Sequence, residues 1–329
     1  MDFSQLMALS SGHVEARIVQ SAVELKIFDA LESHSRSASA IGSQLQLNEP
    51  ALELILNALA AMKLLDKRGE EFFLTEIAYK HLRRSSAHYV GGMIGFDAML
   101  WKAWEKLPEA IRTGQPTRPP NMYQADTGET EVFITAMDFL VKARGDGAVL
   151  AGAIDWSHVA TLLDVGSGPA TYPITLCQRF PELRATIVDL PGTLKITERF
   201  ITDAKLSERI ALYPADYRSD PIPGKFDAIL LSNIIHGEKF ACNGALIGKL
   251  AANLNPGGRL IVKDPILDDS RTAPPVGAIF SLLMLLTTDG GRCYSFAEIA
   301  SWMTQAGLSG VERIDLPAPL TSSLVIGRH

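Results

Sequence analysis

Apolar positions recur every three or four residues through the first part of the chain, which is the spacing of an amphipathic helix. The pattern is clearest from about Val14 to Leu31, and shorter stretches repeat it at 38–45 and 49–64. The next segment, LLDKRGEEFFLTEIA, predicts two strands joined by a charged turn at Gly69. Three helices followed by a hairpin are typical of a winged helix-turn-helix, and we assign this module to residues 1–88.

The third helix of this module does not resemble a helix that reads DNA. Its sequence, EPALELILNALAAMK, has Lys63 as its single basic residue and is apolar on more than one face. A helix that lies along phosphates needs a positive surface, whereas an apolar helical module is more often buried against another subunit. We therefore expect a homodimer. The alternative is a non-enzymatic winged-helix regulator that senses a small ligand.

Residues 89–155 predict helices rich in large apolar side chains, interrupted by the proline-rich loop GQPTRPP. Most of these side chains are expected to form ordinary helical core. A few, Met137 among them, are candidates for the lining of an apolar pocket that binds a small aromatic acceptor. We treat this segment as a helical linker that contributes to the substrate pocket.

After Trp156 the pattern changes to short runs of Val, Ile and Leu that alternate with helical stretches. The runs lie in ATLLDVG, LRATIVDLP, RIALYPAD, FDAILLSNIIH and GGRLIVKDPIL. This alternation is typical of a parallel sheet with helices on both faces. The last two strands, GVERIDLP and SSLVIGRH, predict an antiparallel pair. The sequence thus predicts an α/β fold in which residues 156–329 form a Rossmann-like domain with a mixed seven-stranded sheet.

Composition and charge narrow the range of partners. The 329 residues are 47% hydrophobic and 21% charged, and the formal net charge of −6 disfavours a nucleic-acid partner. We see no apolar run of membrane-spanning length and no signal-peptide pattern. The cysteines, Cys177, Cys242 and Cys293, lack metal-ligand spacing. We expect a cytoplasmic protein that binds neither membrane, nucleic acid nor metal.

The segment LLDVGSGPAT carries the most informative local motif. A buried strand contains Asp164 near its end, and Gly166 and Gly168 open a turn where the backbone can approach a ligand closely. A carboxylate at this point would repel a pyrophosphate, but it attracts the cationic amino group of a methionine moiety. The motif therefore favours S-adenosylmethionine (SAM) over a dinucleotide as the cofactor.

Two further acids end the next two strands. Asp189, in IVDLP, can accept hydrogen bonds from both hydroxyls of a ribose. Asp216, in YPADY, can accept a bond from the adenine amino group, and Tyr217 can pack on the purine. Because the carboxyl ends of parallel strands meet at one edge of a sheet, we expect Asp164, Asp189 and Asp216 to face one crevice.

His236 follows the fourth strand of the predicted sheet, at the same edge. A neutral imidazole at this place can accept a proton from a hydroxyl at about pH 7, so His236 is a candidate general base. Asp264 ends the fifth strand, in LIVKDPIL, and is a candidate to orient His236. The alternative for Asp264 is a carboxylate that pairs with Lys263 or is exposed to solvent.

Taken in order, the segments LLDVGSG, IVDLP and YPADY, the strand-end histidine and PGGRLIVKD resemble a known family. They are similar to the small-molecule O-methyltransferases related to plant caffeic acid and hydroxyindole O-methyltransferases, especially bacterial members that act on polyketide, phenazine and pigment substrates. The resemblance covers nearly the whole chain. It implies transfer of a methyl group from SAM to a hydroxyl, and an N-terminal module that forms an intertwined dimer.

The resemblance also implies roles for individual residues. SAM contacts are implied for Gly166, Asp189, Leu190, Asp216 and Tyr217. Ser232 stands where many plant members have a lysine near the cofactor. His236 matches the general base, and Asp264 matches an acid that orients it. The segment FSLLMLLTT, with Phe280 and Met284, falls on the helix that borders the substrate.

Three positions depart from the family pattern. The family commonly has Asp and Trp after the base, where this chain has Gly237 and Glu238. Cys293 stands where the family has a second acid that orients the base. With one acid fewer, the imidazole is less firmly held. These departures keep open a second reading, a SAM enzyme that methylates carbon or nitrogen or that uses the cofactor without methyl transfer.

Overall fold

The computed structural model describes residues 1–121 and 123–329. Their internal contacts divide them into two compact units, Met1–Trp101 and Lys102–His329. Across the described residues, we find no helix with both the length and the apolar character needed to cross a membrane.

The first unit is mainly helical and carries a small antiparallel sheet. In chain order its elements are α1 (Phe3–Glu24), α2 (Ile27–Ala30), β1 (Arg36–Ser37), α3 (Ala38–Leu45), α4 (Glu49–Ala61), β2 (Leu65–Arg68), β3 (Glu71–Leu74), α5 (Glu76–His81) and α6 (Gly91–Met99). The strand order is β1-β3-β2. Strands β2 and β3 form the hairpin that the sequence predicts around Gly69, whereas the two-residue strand β1 has no counterpart in the predicted elements.

The helical periodicity of the first unit continues across a break that the sequence pattern does not predict. Lys26 adopts a left-handed backbone conformation, with φ of 59°, and separates α1 from α2. The break lets Ile27 and Phe28 enter the core beside Leu56 and Leu59, all of them at most 1% exposed. Burying one such side chain stabilises a fold by about 1.5–3 kcal/mol. Several of these together outweigh the roughly 1–2 kcal/mol that a left-handed non-glycine residue costs.

The second unit opens with helices and continues as alternating strands and helices. The helices before the sheet are α7 (Trp101–Glu105), α8 (Leu107–Thr113), α9 (Thr127–Arg144) and α10 (Asp146–Ala153). The alternating part comprises β4 (Thr161–Val165), α11 (Thr171–Arg179), β5 (Arg184–Asp189), α12 (Pro191–Asp203), β6 (Ile210–Pro214), β7 (Phe226–Ser232), a 3-10 turn (Ile235–Gly237), α13 (Phe240–Ala251), β8 (Leu254–Asp264), α14 (Pro275–Thr287), α15 (Phe296–Gln305), β9 (Ser309–Asp315) and β10 (Ser323–Arg328).

The seven strands of the second unit form one mixed sheet in the order β6-β5-β4-β7-β8-β10-β9. The five strands from β6 to β8 run parallel, and β10 lies antiparallel to both β8 and β9. This arrangement confirms the predicted Rossmann-like fold with its mixed seven-stranded sheet and antiparallel end. Strands β4 to β6 progress to one side and β7 to β8 to the other, which creates the switch point where this class of fold binds ligands.

The central strands are apolar on both faces because helices cover both sides of the sheet. Along β4, Leu163 packs into the core on one face, whereas Leu162 packs into the core on the other. Strand β7 alternates in the same way, with Ile229 and Leu230 on opposite faces. The polar groups therefore concentrate at the strand ends, where the crevice opens.

Candidate active site

The turn after β4 brings bare backbone to the edge of the crevice. Gly166 and Gly168 adopt left-handed conformations, with φ of 68° and 58°. A Cβ atom at Gly166 would lie 2.3 Å from Cδ1 of Ile234, so a larger residue would strain the backbone and also force the end of the Ile234 side chain to move. The turn leads directly into α11, which begins at Thr171.

Asp164 is buried at the end of β4, with 1% of its surface exposed. Its Oδ2 accepts a hydrogen bond of 2.5 Å from the hydroxyl of Ser167. Among the described residues, its Oδ1 has no hydrogen-bond partner although it is buried. Burial raises the pKa of the Asp164 carboxyl to about 7. A buried acceptor without a partner costs free energy, so Asp164 is prepared to receive a donor, above all a cationic one.

Asp189 ties the end of β5 to the glycine turn. Its Oδ2 accepts a hydrogen bond from the backbone N–H of Gly168 at 2.9 Å, and its Oδ1 accepts one from the N–H of Leu190 at 2.7 Å. Burial raises the pKa of this carboxyl, while the two backbone donors oppose that shift. An ionised carboxylate has about four acceptor positions. It can therefore keep these backbone bonds and still receive hydroxyl donors from a ligand.

Asp216 and Tyr217 follow β6 on the same side of the sheet. The carboxylate of Asp216 is half-buried and accepts a hydrogen bond of 2.9 Å from the N–H of Arg218. The Tyr217 ring reaches the glycine turn, because its Cε1 lies 3.7 Å from where a Cβ of Gly166 would stand. The Tyr217 hydroxyl donates a hydrogen bond of 2.8 Å to Glu238. The aromatic face is thus brought beside the turn that carries the cofactor motif.

The groups at this crevice fit SAM. The unpartnered oxygen of Asp164 suits the ammonium group of the methionine moiety, and Asp189 suits a ribose. Tyr217 offers a ring to a purine. Ser232 lies at the end of β7, half-buried, and contacts the Tyr172 hydroxyl at the start of α11. Within residues 1–121 and 123–329, no three His, Cys, Asp or Glu side chains lie together in a group that could hold a metal ion.

His236 sits in the 3-10 turn after β7, and its imidazole faces the end of β8. Its Nδ1 lies 3.0 Å and 3.2 Å from the two carboxylate oxygens of Asp264. The side chains are 13% and 2% exposed, respectively, so the pair is shielded from solvent but reachable at the imidazole. Lys263 does not pair with Asp264. Its Nζ contacts Asp146 at 3.2 Å instead.

Cys293 belongs to the surroundings of this pair. The thiol is buried, and burial, followed by the charge of Asp264, raises its pKa to about 12. Cys293 is therefore a neutral group near the carboxylate at neutral pH. The Cys293 thiol therefore adds no negative charge to the surroundings of Asp264.

The residues predicted to line the substrate pocket lie on two helices. Phe280 on α14 contacts the imidazole of His236 edge-on, with ring centroids 4.9 Å apart. Met284 is one helical turn further along α14 and is buried, and its carbonyl accepts hydrogen bonds from Thr288. Met137 is half-buried on α9, the helix whose Ile134 approaches the glycine turn. The structure thus brings Phe280 to the histidine and places α9 beside the cofactor motif.

Two features of the site region were not among the residues predicted from the sequence. The first is a buried polar cluster in which Asp146 accepts hydrogen bonds from Arg144, Tyr172 and Lys263. Burial lowers the pKa of Lys263. A lysine inside the apolar run LIVKD was the available indication, because a charge buried in a strand needs a partner. The second is Glu238, a buried acid two positions after His236 in the sequence.

Comparison with known proteins identifies the family. The O-methyltransferase domain model matches residues 104–309, and the O-methyltransferase dimerisation domain model matches residues 7–87. The tetracenomycin polyketide synthesis 8-O-methyltransferase of Streptomyces glaucescens is 31% identical, over 98% of this chain and 96% of that protein. A 3-hydroxy-5-methyl-1-naphthoate 3-O-methyltransferase of Streptomyces sahachiroi is 29% identical, over 98% and 94% of the two chains.

A solved structure shares the fold along the full length. The crystal structure of human N-acetylserotonin methyltransferase in complex with SAM superposes with a TM-score of 0.91, covering 100% of this chain and 98% of that one, at 20% identity. The two domain models, the two Streptomyces relatives and the cofactor motif all point to the same family. The chain therefore belongs to the O-methyltransferase family and is a SAM-dependent O-methyltransferase with an O-methyltransferase dimerisation domain.

Proposed function

We propose that the acceptor is a hydroxyl group of a small aromatic molecule and that His236 is the general base that removes its proton. The observation that carries this proposal is the pair of His236 and Asp264, 3.0 Å apart and beside the ring of Phe280. An aromatic acceptor that packs against Phe280 would lie within reach of the imidazole. The two relatives described above are named for hydroxyl groups on polyketide and naphthoate substrates, which supports the same class of acceptor.

The roles in the reaction follow from the hydrogen bonds. Asp264 accepts a hydrogen bond from the Nδ1–H of His236, which fixes the tautomer and leaves Nε2 as the proton acceptor. His236 then takes the proton from the acceptor hydroxyl and makes its oxygen a better nucleophile. When bound, SAM supplies an electrophilic methyl group. The cofactor would be held by the residues of the crevice, namely Asp164, Gly166, Gly168, Asp189, Leu190, Asp216, Tyr217 and Ser232. The acceptor pocket would be lined by Phe280, Met284 and Met137.

The proposal is tested by presenting the purified enzyme with methyl-labelled SAM and a panel of phenols, naphthols, hydroxyquinones and matched aryl amines. We expect label in products whose new methyl group is attached to oxygen, as assigned by NMR. Methoxy analogues of the accepted compounds serve as controls, because they lack the hydroxyl. Label on carbon or nitrogen, or turnover of the methoxy analogues, would contradict the proposed acceptor class.

The pKa of Asp164 makes a prediction about cofactor binding. Its carboxyl titrates at about 7 when the enzyme is free, and the ammonium group of SAM prefers the ionised form. SAM binding should therefore release a proton and should weaken as pH falls through that pKa. From about pH 7.5 to about pH 6 we expect roughly tenfold weaker binding.

Calorimetry in buffers of different ionisation enthalpy measures both the affinity and the released proton. Asp164→Asn is the matched control, since it keeps the shape of the side chain but cannot ionise. It should bind SAM more weakly at pH 7.5 and lose most of the pH dependence. An affinity that stays constant from pH 7.5 to pH 6 in the unmodified enzyme would count against a contact between Asp164 and the ammonium group.

The dimerisation domain supports a homodimer in which the first unit has the winged-helix arrangement. Helix α1 exposes Phe3, Leu6 and Leu9, with 79%, 54% and 68% of their surfaces accessible. Apolar side chains grouped on one helix favour burial against a second copy. We predict a mass near twice 35.7 kDa by light scattering. Changing all three residues to serine should give monomer, whereas Ile111→Ser, an exposed apolar residue on α8, should leave the dimer intact.

We infer three functional segments: a dimerisation domain at residues 1–88, a helical segment at 89–155 and a catalytic domain at 156–329. The free thiols of Cys177, Cys242 and Cys293 fit the reducing conditions of the cytoplasm, where we place the enzyme.

A further inference from the structure

We infer that Glu238 is a positioning residue that holds the Tyr217 ring in place for the cofactor and thereby sets the affinity for SAM. The inference rests on the proposed contact between Tyr217 and SAM. Glu238 follows the histidine by two positions, yet its carboxylate points to the loop after β6. The proposed proton transfer from the acceptor to His236 does not use Glu238.

The contacts of Glu238 divide between its side chain and its backbone. Its Oε1 accepts a hydrogen bond of 2.8 Å from the Tyr217 hydroxyl and one of 2.7 Å from Nε of Arg218. Its backbone carbonyl accepts separate bonds from Tyr294, at 2.6 Å, and from Asn243, at 3.5 Å. The backbone of the histidine turn is therefore held independently of the Glu238 carboxylate. Changes to the side chain should leave His236 in place.

The Tyr217 side is held in a complementary way. The carbonyl of Tyr217 accepts a hydrogen bond of 2.9 Å from Nζ of Lys249, which fixes the backbone of the loop. The ring beyond it is held by the bond from its hydroxyl to Glu238. Burial, and next the charge of Glu238, raise the pKa of the Tyr217 phenol, so it stays protonated and donates. Glu238 is only 7% exposed, and a charge-assisted bond shielded from water is a strong one.

The ring held in this way stands at the glycine turn. Tyr217 Cε1 lies 3.7 Å from the position that a Cβ of Gly166 would take, and Asp216, on the same loop, accepts from the N–H of Arg218. Arg218 therefore contacts both Asp216 and Glu238. One carboxylate thus orders the aromatic ring and the arginine of the loop that we propose to bind the adenine moiety.

The test measures SAM affinity by calorimetry, together with KM for SAM, kcat and Tm, in single variants and one double variant. Glu238→Leu removes both side-chain bonds and should weaken SAM binding by about tenfold, the usual loss for a hydrogen bond to a charged group. Tyr217→Phe keeps the ring but removes its hydroxyl and should weaken binding in the same direction. Glu238→Gln retains an acceptor for the hydroxyl but loses the charge, so its affinity should lie between those of Glu238→Leu and the unmodified enzyme.

Two readouts separate positioning from a merely structural effect. KM for SAM should rise while kcat at saturating SAM stays within about threefold of the unmodified enzyme, because His236 is held by other contacts. In the double variant Glu238→Leu with Tyr217→Phe, the two losses should not add, since both changes remove the same bond. Glu298→Leu is the matched control. Glu298 is also a shielded acid that pairs with an arginine, Arg292 at 2.7 Å, and its loss should lower Tm but not SAM affinity.

If Tyr217→Ala binds SAM as tightly as the unmodified enzyme, the proposed adenine site is wrong and the inference falls with it. If Tyr217→Ala weakens binding but Tyr217→Phe and the folded Glu238 variants do not, the adenine site stands and the role of Glu238 is overturned. If the Glu238 variants lower kcat and Tm but leave the affinity for SAM unchanged, the role of Glu238 is likewise overturned.

Discussion

Replacing His236 with alanine should lower kcat by about 10²–10⁴-fold, the usual contribution of a positioned proton acceptor. The affinity for SAM should stay close to that of the unmodified enzyme, because the proposed cofactor contacts come from β4, β5, β6 and the turns after them and from Ser232 at the end of β7, and none of them is the imidazole. The imidazole contacts Asp264 and Phe280 instead. Single-turnover kinetics with a saturating weakly acidic phenol measure the loss directly, and calorimetry with SAM provides the comparison.

The size of this loss should depend on the acidity of the acceptor. An acceptor that is already ionised at the assay pH needs no base, so the deficit of His236→Ala should shrink with more acidic hydroxyls and as the pH is raised. Asp264→Asn should act in the same direction but more weakly, because it disturbs the tautomer and orientation of the imidazole without removing it. A His236→Ala enzyme that methylates a weakly acidic phenol at the normal rate would rule out a general base at this position.

Cys293 affects how much negative charge surrounds the proposed base. A carboxylate at that position would add negative charge close to Asp264, but the thiol there is neutral since its pKa is raised to about 12. His236 therefore depends on Asp264 as its carboxylate partner in this pair. If His236 is the base, we expect the highest rates with acceptors whose hydroxyls are acidic, because these need the least help from the imidazole.

The architecture of the second unit could be predicted because its physical cause is local. A strand that is covered on both faces must be apolar at every position, and such runs recur between helical stretches in the sequence. The strand-end acids could be placed for the same reason, because parallel strands bring their carboxyl ends to one edge. Asp164 and Asp189, which are 25 positions apart in sequence, thus lie at adjacent strand ends, with Asp189 bonded to the turn that follows Asp164.

Other parts of the structure depend on contacts that no periodicity encodes. The break at Lys26 follows from how Ile27 and Phe28 fit against distant helices, which the repeating apolar pattern cannot show. The partner of Lys263 is Asp146, 117 positions earlier, and nothing in either local sequence selects it. The contact of Glu238 could not be predicted either. The sequence shows that Glu238 departs from the family pattern, but it does not show the hydrogen bond to Tyr217.

The second large effect is expected from Asp189→Ala. The substitution removes the carboxylate that would accept hydrogen bonds from both ribose hydroxyls. Each charge-assisted bond contributes about 1.5–3 kcal/mol. It also removes the acceptor for the N–H groups of Gly168 and Leu190, so the glycine turn loses its tie to β5. SAM affinity should therefore fall by at least about tenfold, and by about 100-fold or more if both ribose bonds are lost in full.

Asp227→Ala is the matched control for this experiment. Asp227 lies near the beginning of β7, at the end of the strands opposite to the crevice. It accepts hydrogen bonds from the N–H groups of Ala160 and Thr161. Its removal also breaks two backbone bonds, so it should lower Tm by a comparable amount. It should leave SAM affinity unchanged, because the switch-point crevice lies at the carboxyl ends of the strands. If Asp189→Ala is folded and binds SAM with the affinity of the unmodified enzyme, Asp189 does not hold the ribose. If Asp227→Ala loses as much affinity as Asp189→Ala, the loss reports on sheet stability rather than on a ribose contact.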